Sequence, residues 1–253
     1  MEQTTTFYFL GTGAADWDER KPDGELRRFT STLIDGHILM DFTTAGFDLL
    51  GDRQADVDTV FLTHSHPDHF DPEAIGRLAA GRTELLTLYA HRSIAADIRI
   101  ARVNVIPLDT ENPVLCGPYK VMPLPSNHAS FRECEQTLHY LFCGPRSFLY
   151  ALDGGWLSNR EAKLINGTAL DAVIMDCTIG DGYEGDCRIF EHNSLPMIRI
   201  MEQTLRKTGT MKQAAPLILT HFAKTLHPSQ ARLQASLSPL QQAAYDGLTV
   251  CIS

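Results

Sequence analysis

The 253-residue chain lacks any surplus of positive charge: 22 Lys and Arg stand against 31 Asp and Glu, a formal net charge of −9. That balance argues against a long nucleic acid as the main partner, because tracking a phosphate backbone needs clustered Lys and Arg. A small anionic substrate stays compatible, since bound divalent ions would supply positive charge locally. No apolar run approaches the length of a membrane span, so no membrane partner is expected. Met1 to Phe7 shows neither a basic n-region nor an apolar h-region. The six cysteines (Cys116, Cys134, Cys143, Cys177, Cys187 and Cys251) include no CxxC pair, which removes the usual thiolate zinc motifs. Without a secretion signal to favour disulfides, they read as reduced, mostly buried thiols of a cytoplasmic protein. There is no internal repeat, no low-complexity segment and no composition break to mark a linker. A single domain over residues 1–253 is expected, with ample length for a buried core.

What is present alternates between short apolar strands and helical stretches. Thr5 to Leu10 reads as a strand that breaks at Gly11-Thr12-Gly13. No Gly-Lys-Ser/Thr follows, so this corner is not a phosphate loop. The polar stretch from Ala14 to Thr30, with Trp17, Arg20, Arg27 and Arg28, is long for a plain connection and is expected to edge a pocket. Its arginines read mainly as solvated charges. Thr32–Ile34 and His37–Met40 form a hairpin across Asp35-Gly36. Helices are predicted over Pro72–Ala80, Ser93–Ala101 (capped by Ser93), Asn159–Asn166, Leu195–Lys207 and from Ser229. Further strands are predicted at Val57–Leu62, Leu85–Tyr89, Tyr119–Leu124, Thr137–Phe142, Ser147–Leu152, Ala172–Met175, Leu217–Leu219 and Leu248–Ile252.

The run Thr63-His64-Ser65-His66-Pro67-Asp68-His69 concentrates three imidazoles and a carboxylate directly after one of these strands. In a turn, His64 and His66 can face one way while Asp68 and His69 face another, and one turn could then feed two ions about 3.5–4 Å apart. Three more candidate ligands share the same placement: His128, Asp153 and His221 each lie just past the carboxyl end of an apolar strand, where α/β proteins collect ligands. His64, His66 and His128 could hold one ion, Asp68, His69 and His221 a second, and Asp153 could bridge. Imidazole and carboxylate donors suit Zn or Mn, and Fe is compatible. Asp68 has a second candidate role, orienting or deprotonating the attacking water. His37, His91 and His139 read as structural, and His227 as a residue near the pocket but not a ligand.

This pattern resembles the metallo-β-lactamase superfamily, through His64-x-His66-x-Asp68-His69, His128, Asp153 and His221 in that order. The resemblance implies an α/β fold, a four-layer αββα sandwich with mixed sheets. It also implies a dinuclear site at one edge of the sheets and hydrolysis by a metal-bound hydroxide. The zinc-dependent lactamases place a cysteine where Asp153 stands, and the diiron flavoproteins have Glu in place of His66, so neither branch fits. Glyoxalase-II-like thioesterases share all seven ligands. Glu191-His192-Asn193-Ser194 tips the comparison toward the phosphodiesterase branch, which includes tRNA 3′-processing endonucleases and the phosphoribosyl 1,2-cyclic phosphate phosphodiesterases. There a histidine in a similar setting reaches the phosphate, which implies a catalytic role for His192 alongside Asp68. The alternative for His192 is an exposed residue ahead of a helix cap formed by Asn193 or Ser194. Val173-Ile174-Met175-Asp176-Cys177 and Leu219-Thr220-His221-Phe222 resemble the cyclic phosphodiesterases. The cysteine-rich structural zinc site of those enzymes and the long tRNA-binding arm of the processing enzymes are both missing from this sequence. The expected substrate is therefore a small phosphorylated molecule. A thioester or lactone hydrolase, a tRNA-processing-type endonuclease and a non-catalytic metal module are the alternatives. Oligomeric state is left open, a homodimer being one option.

Overall fold

A computed structural model describes residues 4–17, 25–130 and 132–253; the middle of the polar stretch, with Arg20, lies outside them. The first strands are β1 (Thr5–Gly11), β2 (Ser31–Ile34), β3 (Ile38–Met40), β4 (Thr59–Phe61), β5 (Leu86–His91) and β6 (Val103–Leu108). They are followed by β7 (Val114–Cys116), β8 (Tyr119–Pro125), β9 (Leu138–Cys143) and β10 (Phe148–Ala151). The last are β11 (Ala172–Asp176), β12 (Leu217–Thr220), β13 (Gln241–Ala243) and β14 (Thr249–Ile252). Among the described residues they form two seven-stranded sheets, ordered β14-β1-β2-β3-β4-β5-β6 and β13-β12-β11-β10-β9-β8-β7. Each sheet is mixed: antiparallel up to β3 in the first and up to β10 in the second, then parallel through β4, β5 and β6 or β11, β12 and β13.

Because successive strand residues face opposite sides, each buried strand feeds two cores. In β10, Phe148 and Tyr150 enter a core between the sheets, while Leu149 and Ala151 enter a second core beneath helices. In β11, Ala172 and Ile174 face the first core, and Val173 and Met175 the second. The core between the sheets is aromatic: Phe142 stacks on Phe148 at 4.5 Å, and Phe7 meets Phe148 edge-on at 4.9 Å. The helices are α1 (Phe47–Leu50), α2 (Pro72–Ala80), α3 (Arg92–Ala95), α4 (Asn159–Ile165), α5 (Leu195–Lys207) and α6 (Gln230–Ala235). Residues of α1, α2 and α3 pack on the first sheet, and residues of α4, α5 and α6 on the second. The layers therefore run helix, sheet, sheet, helix, the four-layer αββα sandwich of mixed sheets read from the sequence.

Local signals explain most boundaries. Asp71 caps α2 by accepting from Glu73 N and Ala74 N, with Pro72 in the first turn. Ser158 and Glu161 form a reciprocal capping box on α4. Ser194, not Asn193, caps α5.

Several expectations need correction. The helix predicted over 93–101 is one turn long, Arg92–Ala95, and its cap is His91, which accepts from Ser93 N. The isoleucine-rich chain beyond it turns instead at Arg102, at φ +62°, into β6. Strand β6 was not foreseen because it carries Pro107, which is tolerated here on a sheet edge. The short strands β7 and β13 also escaped prediction; β13 is polar, and neither has a run long enough to show a period. The strand before the histidine cluster spans only Thr59–Phe61. Of the cysteines, only Cys116 and Cys177 are buried, while Cys134, Cys187 and Cys251 are exposed, so the expectation of mostly buried thiols fails. No described helix is long and apolar enough to cross a membrane.

Candidate metal centre

Strand ends deliver the side chains. Strands β3 and β4 run side by side, so Asp41 and Thr63, each just past a strand end, meet: Thr63 N donates to Asp41 Oδ1 at 2.7 Å. From Thr63 the chain turns tightly, with His69 N and Phe70 N both donating to His66 O at 2.9 Å. That turn brings His64, His66, Asp68 and His69 onto one surface. The second sheet answers from its own strand ends: His128 follows β8, Asp153 follows β10, and His221 follows β12. Asp41, Asp153 and His221 all sit at positive φ (+54°, +56° and +61°), a conformation that costs a non-glycine residue energy and that clusters at functional sites.

All seven residues singled out as ligands converge. One group comprises His64, His66, His128 and Asp153, the other Asp68, His69 and His221, with candidate ligand atoms within 4.8 Å of one another in each. Asp153 faces both: its Oδ2 lies 3.5 Å from His64 Nε2 and 3.7 Å from His128 Nε2, and its Oδ1 lies 3.1 Å from His221 Nε2. Asp68 Oδ2 is 3.6 Å from His69 Nε2 and 3.5 Å from His221 Nε2.

Three nitrogen pairs approach closely: His64 Nε2 to His66 Nδ1 at 2.8 Å, His66 Nδ1 to His128 Nε2 at 3.2 Å, and His69 Nε2 to His221 Nε2 at 3.3 Å. Imidazole lone pairs aimed at a common point repel unless a cation or proton lies between them. Asp153 Oδ1 is buried with no hydrogen-bond partner, a costly state for a carboxylate oxygen. Both features fit divalent cations, and nitrogen plus oxygen donors suit transition ions rather than Ca²⁺.

Two brackets hold the imidazoles. Asp41 Oδ2 accepts from Thr63 Oγ1 and from His69 Nδ1, each at 2.8 Å, and Thr63 Oγ1 also lies 2.9 Å from His64 Nδ1. On the other sheet, Asp176 and Thr178 do the same for His192 and His221. His192 Nδ1 lies 3.0 Å from Asp176 Oδ2, and His221 Nδ1 lies 2.8 Å from Thr178 Oγ1. Such partners fix the tautomer and aim of a ligating ring. Asp153, Asp176, His192 and His221 also form a group with metal-ligand spacing. There His192 Nδ1 is hydrogen-bonded to Asp176 Oδ2 and His221 Nδ1 to Thr178 Oγ1, so these atoms are already engaged and this group is a bracket.

Electrostatics follow burial and charge. Burial disfavours charge on Asp153, but His221, His69 and His128 overcome it and hold the carboxyl well below the usual range. Burial likewise disfavours the His221 cation, yet Asp153, Asp176 and Asp68 hold its pKa up to about 10. Burial opposes charge on His192 too, but the Asp176 carboxylate raises it above an ordinary histidine. His64 goes the other way: burial and the His69 charge push it well down. The site attracts cationic charge, whether protons or metal ions.

A cavity of about 270 Å³ opens over these groups, walled by Ala14, Ala15 and Asp16 on one side and by Arg188, Glu191 and His192 on another. The polar stretch after Gly13 therefore edges the pocket, as expected. His192 is half-buried and lines this cavity, and is not an exposed residue ahead of the helix. Arg27 is a correction: it is 5% exposed, donates to Thr12 Oγ1 and Ala244 O, and lies over the Phe222 ring at 4.5 Å. Arg28 pairs with Asp246. Arg188, which sequence reasoning passed over, is the arginine at the cavity wall, tied to Asp186 and Asp16. Asp41, Asp176 and Thr178 also went unassigned. Their signal was available, since each follows or ends an apolar strand. His139 is structural, buried against Glu161 at 2.6 Å, and His227 donates to Cys177 O.

Comparisons with known proteins bear on the family and the fold. A family model described as the beta-lactamase superfamily domain matches residues 38–222. No curated protein sequence matches the chain. Among solved structures, a diphosphatase of the PhnP family is similar at 18% identity and TM-score 0.71, over 100% of this chain and 98% of that one. The short form of human tRNase Z is similar at 18% identity and TM-score 0.67, over 98% and 99%. Zn²⁺-bound PqqB from Methylobacterium extorquens is similar at 15% identity and TM-score 0.71, over 97% and 99%. At such identities these likenesses show a shared fold.

Proposed function

The chain belongs to the beta-lactamase superfamily, and from that premise we propose that it is a dinuclear metal-dependent phosphodiesterase acting on a small cyclic or nucleotide-like phosphodiester. In this reading His64, His66 and His128 would hold one divalent ion and Asp68, His69 and His221 the other, with Asp153 facing both. Zn or Mn suits the donors, and Fe is compatible. Ions bound there supply Lewis acidity for the phosphoryl oxygens and acidify water. Asp68 lines the cavity, and its oxygen not turned toward His69 and His221 orients the attacking water and accepts its proton.

The observation that carries the reading is His192. Its ring lines the cavity 4.9 Å from His128 and 5.5 Å from His221, while Asp176 takes its Nδ1. Nε2 is then left to face substrate, and the neighbouring carboxylate favours the proton-bearing form. A proton donor there serves an alkoxide leaving a phosphodiester. A thiolate leaves without protonation, so a thioesterase gains little from it. The cavity is small for a ligand pocket and the net charge is −9, both of which favour a compact substrate over tRNA.

The test is turnover by protein loaded with Zn²⁺ or Mn²⁺. Bis-p-nitrophenyl phosphate and cyclic nucleotides are set against a panel of thioesters and lactones. Hydrolysis of phosphodiesters is expected. Turnover confined to thioesters or lactones overturns the proposal.

A further inference from the structure

We propose that Thr178 is a positioning residue: its hydroxyl holds a proton on Nδ1 of both His192 and His221, so that both rings present Nε2 to the cavity. What His192 then does rests on the phosphodiesterase reading; the Nδ1 protons and the aim of His221 do not.

Thr178 Oγ1 has three polar neighbours: Asp176 Oδ1 at 2.5 Å, His221 Nδ1 at 2.8 Å and His192 Nδ1 at 3.0 Å. A hydroxyl has one proton to give and two lone pairs to accept with. Asp176 is fully buried and its carboxylate accepts from Thr178 N at 2.8 Å and from Asn193 N at 3.2 Å, so it is an acceptor on both oxygens. The 2.5 Å contact must carry the hydroxyl proton, or two lone pairs would face each other. Both imidazoles are left to donate to Thr178, which requires a proton on each Nδ1. His192 shares its proton with Asp176 Oδ2 at 3.0 Å. The two rings hang from the same acceptors and are accordingly near parallel, 16° apart at 5.5 Å.

Thr178 is itself 1% exposed and follows β11, whose register sets Asp176 opposite Thr220, the residue before His221. One hydroxyl thus ties a candidate metal ligand to the proposed proton donor. The bracket on the first sheet differs in purpose: Thr63 Oγ1 lies 2.9 Å from His64 Nδ1 and 3.3 Å from His69 Nδ1, and both of those rings face the ligand cluster.

Loss of the hydroxyl is unequal in effect. Without it, His192 keeps Asp176 Oδ2, whereas Asp176 Oδ1 stands 3.5 Å from His221 Nδ1, beyond a good hydrogen bond. Metal affinity should therefore suffer even though Thr178 touches no ion. Ring ¹⁵N NMR of the Zn²⁺-loaded wild-type protein is expected to show Nδ1–H on both His192 and His221. An Nε2–H tautomer of His221, or loss of the Nδ1 proton from His192, overturns the proposal without any variant. In Thr178→Val, competition with a chelating dye should show Zn²⁺ binding weakened about 10–100-fold, the usual effect of losing such a partner, and Thr178→Ser should restore it. Wild-type affinity in Thr178→Val, whatever its melting temperature, refutes the role; Thr178→Ala provides the same comparison if the valine variant does not fold. The activity arm compares p-nitrophenyl with alkyl leaving groups: His192→Ala should lose more on the alkyl ester, whereas Thr178→Val, which leaves His192 on Asp176, should lose a similar factor on both. If the loaded wild-type protein hydrolyses no phosphodiester, the functional reading fails while the NMR and affinity results still decide on Thr178.

Discussion

At the scale of single residues, the site separates groups that would hold ions from a group that would move a proton. His192 lies against His128 and His221, but its Nδ1 is committed to Asp176 and Thr178. His192→Ala should therefore keep its metal, measured by elemental analysis, while kcat on a phosphodiester falls about 10²–10⁴-fold, the range for a lost general acid. His227 tests burial in a different way. Burial pushes its pKa down to about 4, despite its bond to Cys177 O, and its Nδ1 has no partner. The folded form thus binds fewer protons than the unfolded chain between about pH 4 and the ordinary value of 6.5. The neutral ring's contribution to stability is complete above pH 6.5 and is lost as pH falls through that window. Denaturation midpoints should decline less between pH 6.5 and pH 4 in His227→Gln, in which a side-chain amide can still reach Cys177 O. The seven ligand candidates were legible in the sequence because each follows a strand signal. Asp41 and Thr178 follow strands as well but were passed over, because a carboxylate or hydroxyl that supports a ligand from behind belongs to no ligand spacing.

At the scale of elements, the corner after β1 links backbone sterics to the cavity wall. The pairing of β1 with β2 shifts register between Phe9 and Gly11, and there the Arg28–Phe29 backbone crosses close. A Cβ on Gly11 would stand 1.8 Å from Phe29 O and 2.9 Å from Arg28 O, both backbone atoms that cannot turn aside. Gly11→Ala should destabilise by about 3 kcal/mol or more, readable by chemical denaturation. Because Gly13 N bonds Arg28 O and leads into Ala14–Asp16, the same change should raise KM by moving that wall of the cavity. This corner was readable as a turn, but not as a close crossing, since the crossing strand is distant in sequence. Helix α5 was legible because its buried positions repeat at the helical period, and the β9–β10 hairpin because its pairing partner is local. Edge strands β6, β7 and β13 were not, since half of their pairing is missing and Pro107 or polar residues break the pattern.

At the scale of the whole molecule, the two sheets meet at the ligand cluster. His64, His66, Asp68 and His69 come from the end of β4 in the first sheet, whereas His128, Asp153 and His221 come from the ends of β8, β10 and β12 in the second. Each proposed ion therefore takes ligands from both sheets and ties them at one edge. Elsewhere the interface between them is an aromatic core that needs no such tie. Each bound ion favours the folded state by about 4 kcal/mol when it stands at a thousandfold excess over its dissociation constant. For a chain of this size that corresponds to roughly 8–16 °C in melting temperature. Exhaustive chelation should lower Tm by an amount of this order, and re-addition of Zn²⁺ or Mn²⁺ should restore it. Asp153→Ala removes a carboxylate that faces both clusters, so it should bind less of both ions, and chelator should then hardly move its Tm. A chelator-sensitive Tm that persists in Asp153→Ala would mean that the two sheets are joined by ions held without the bridging carboxylate.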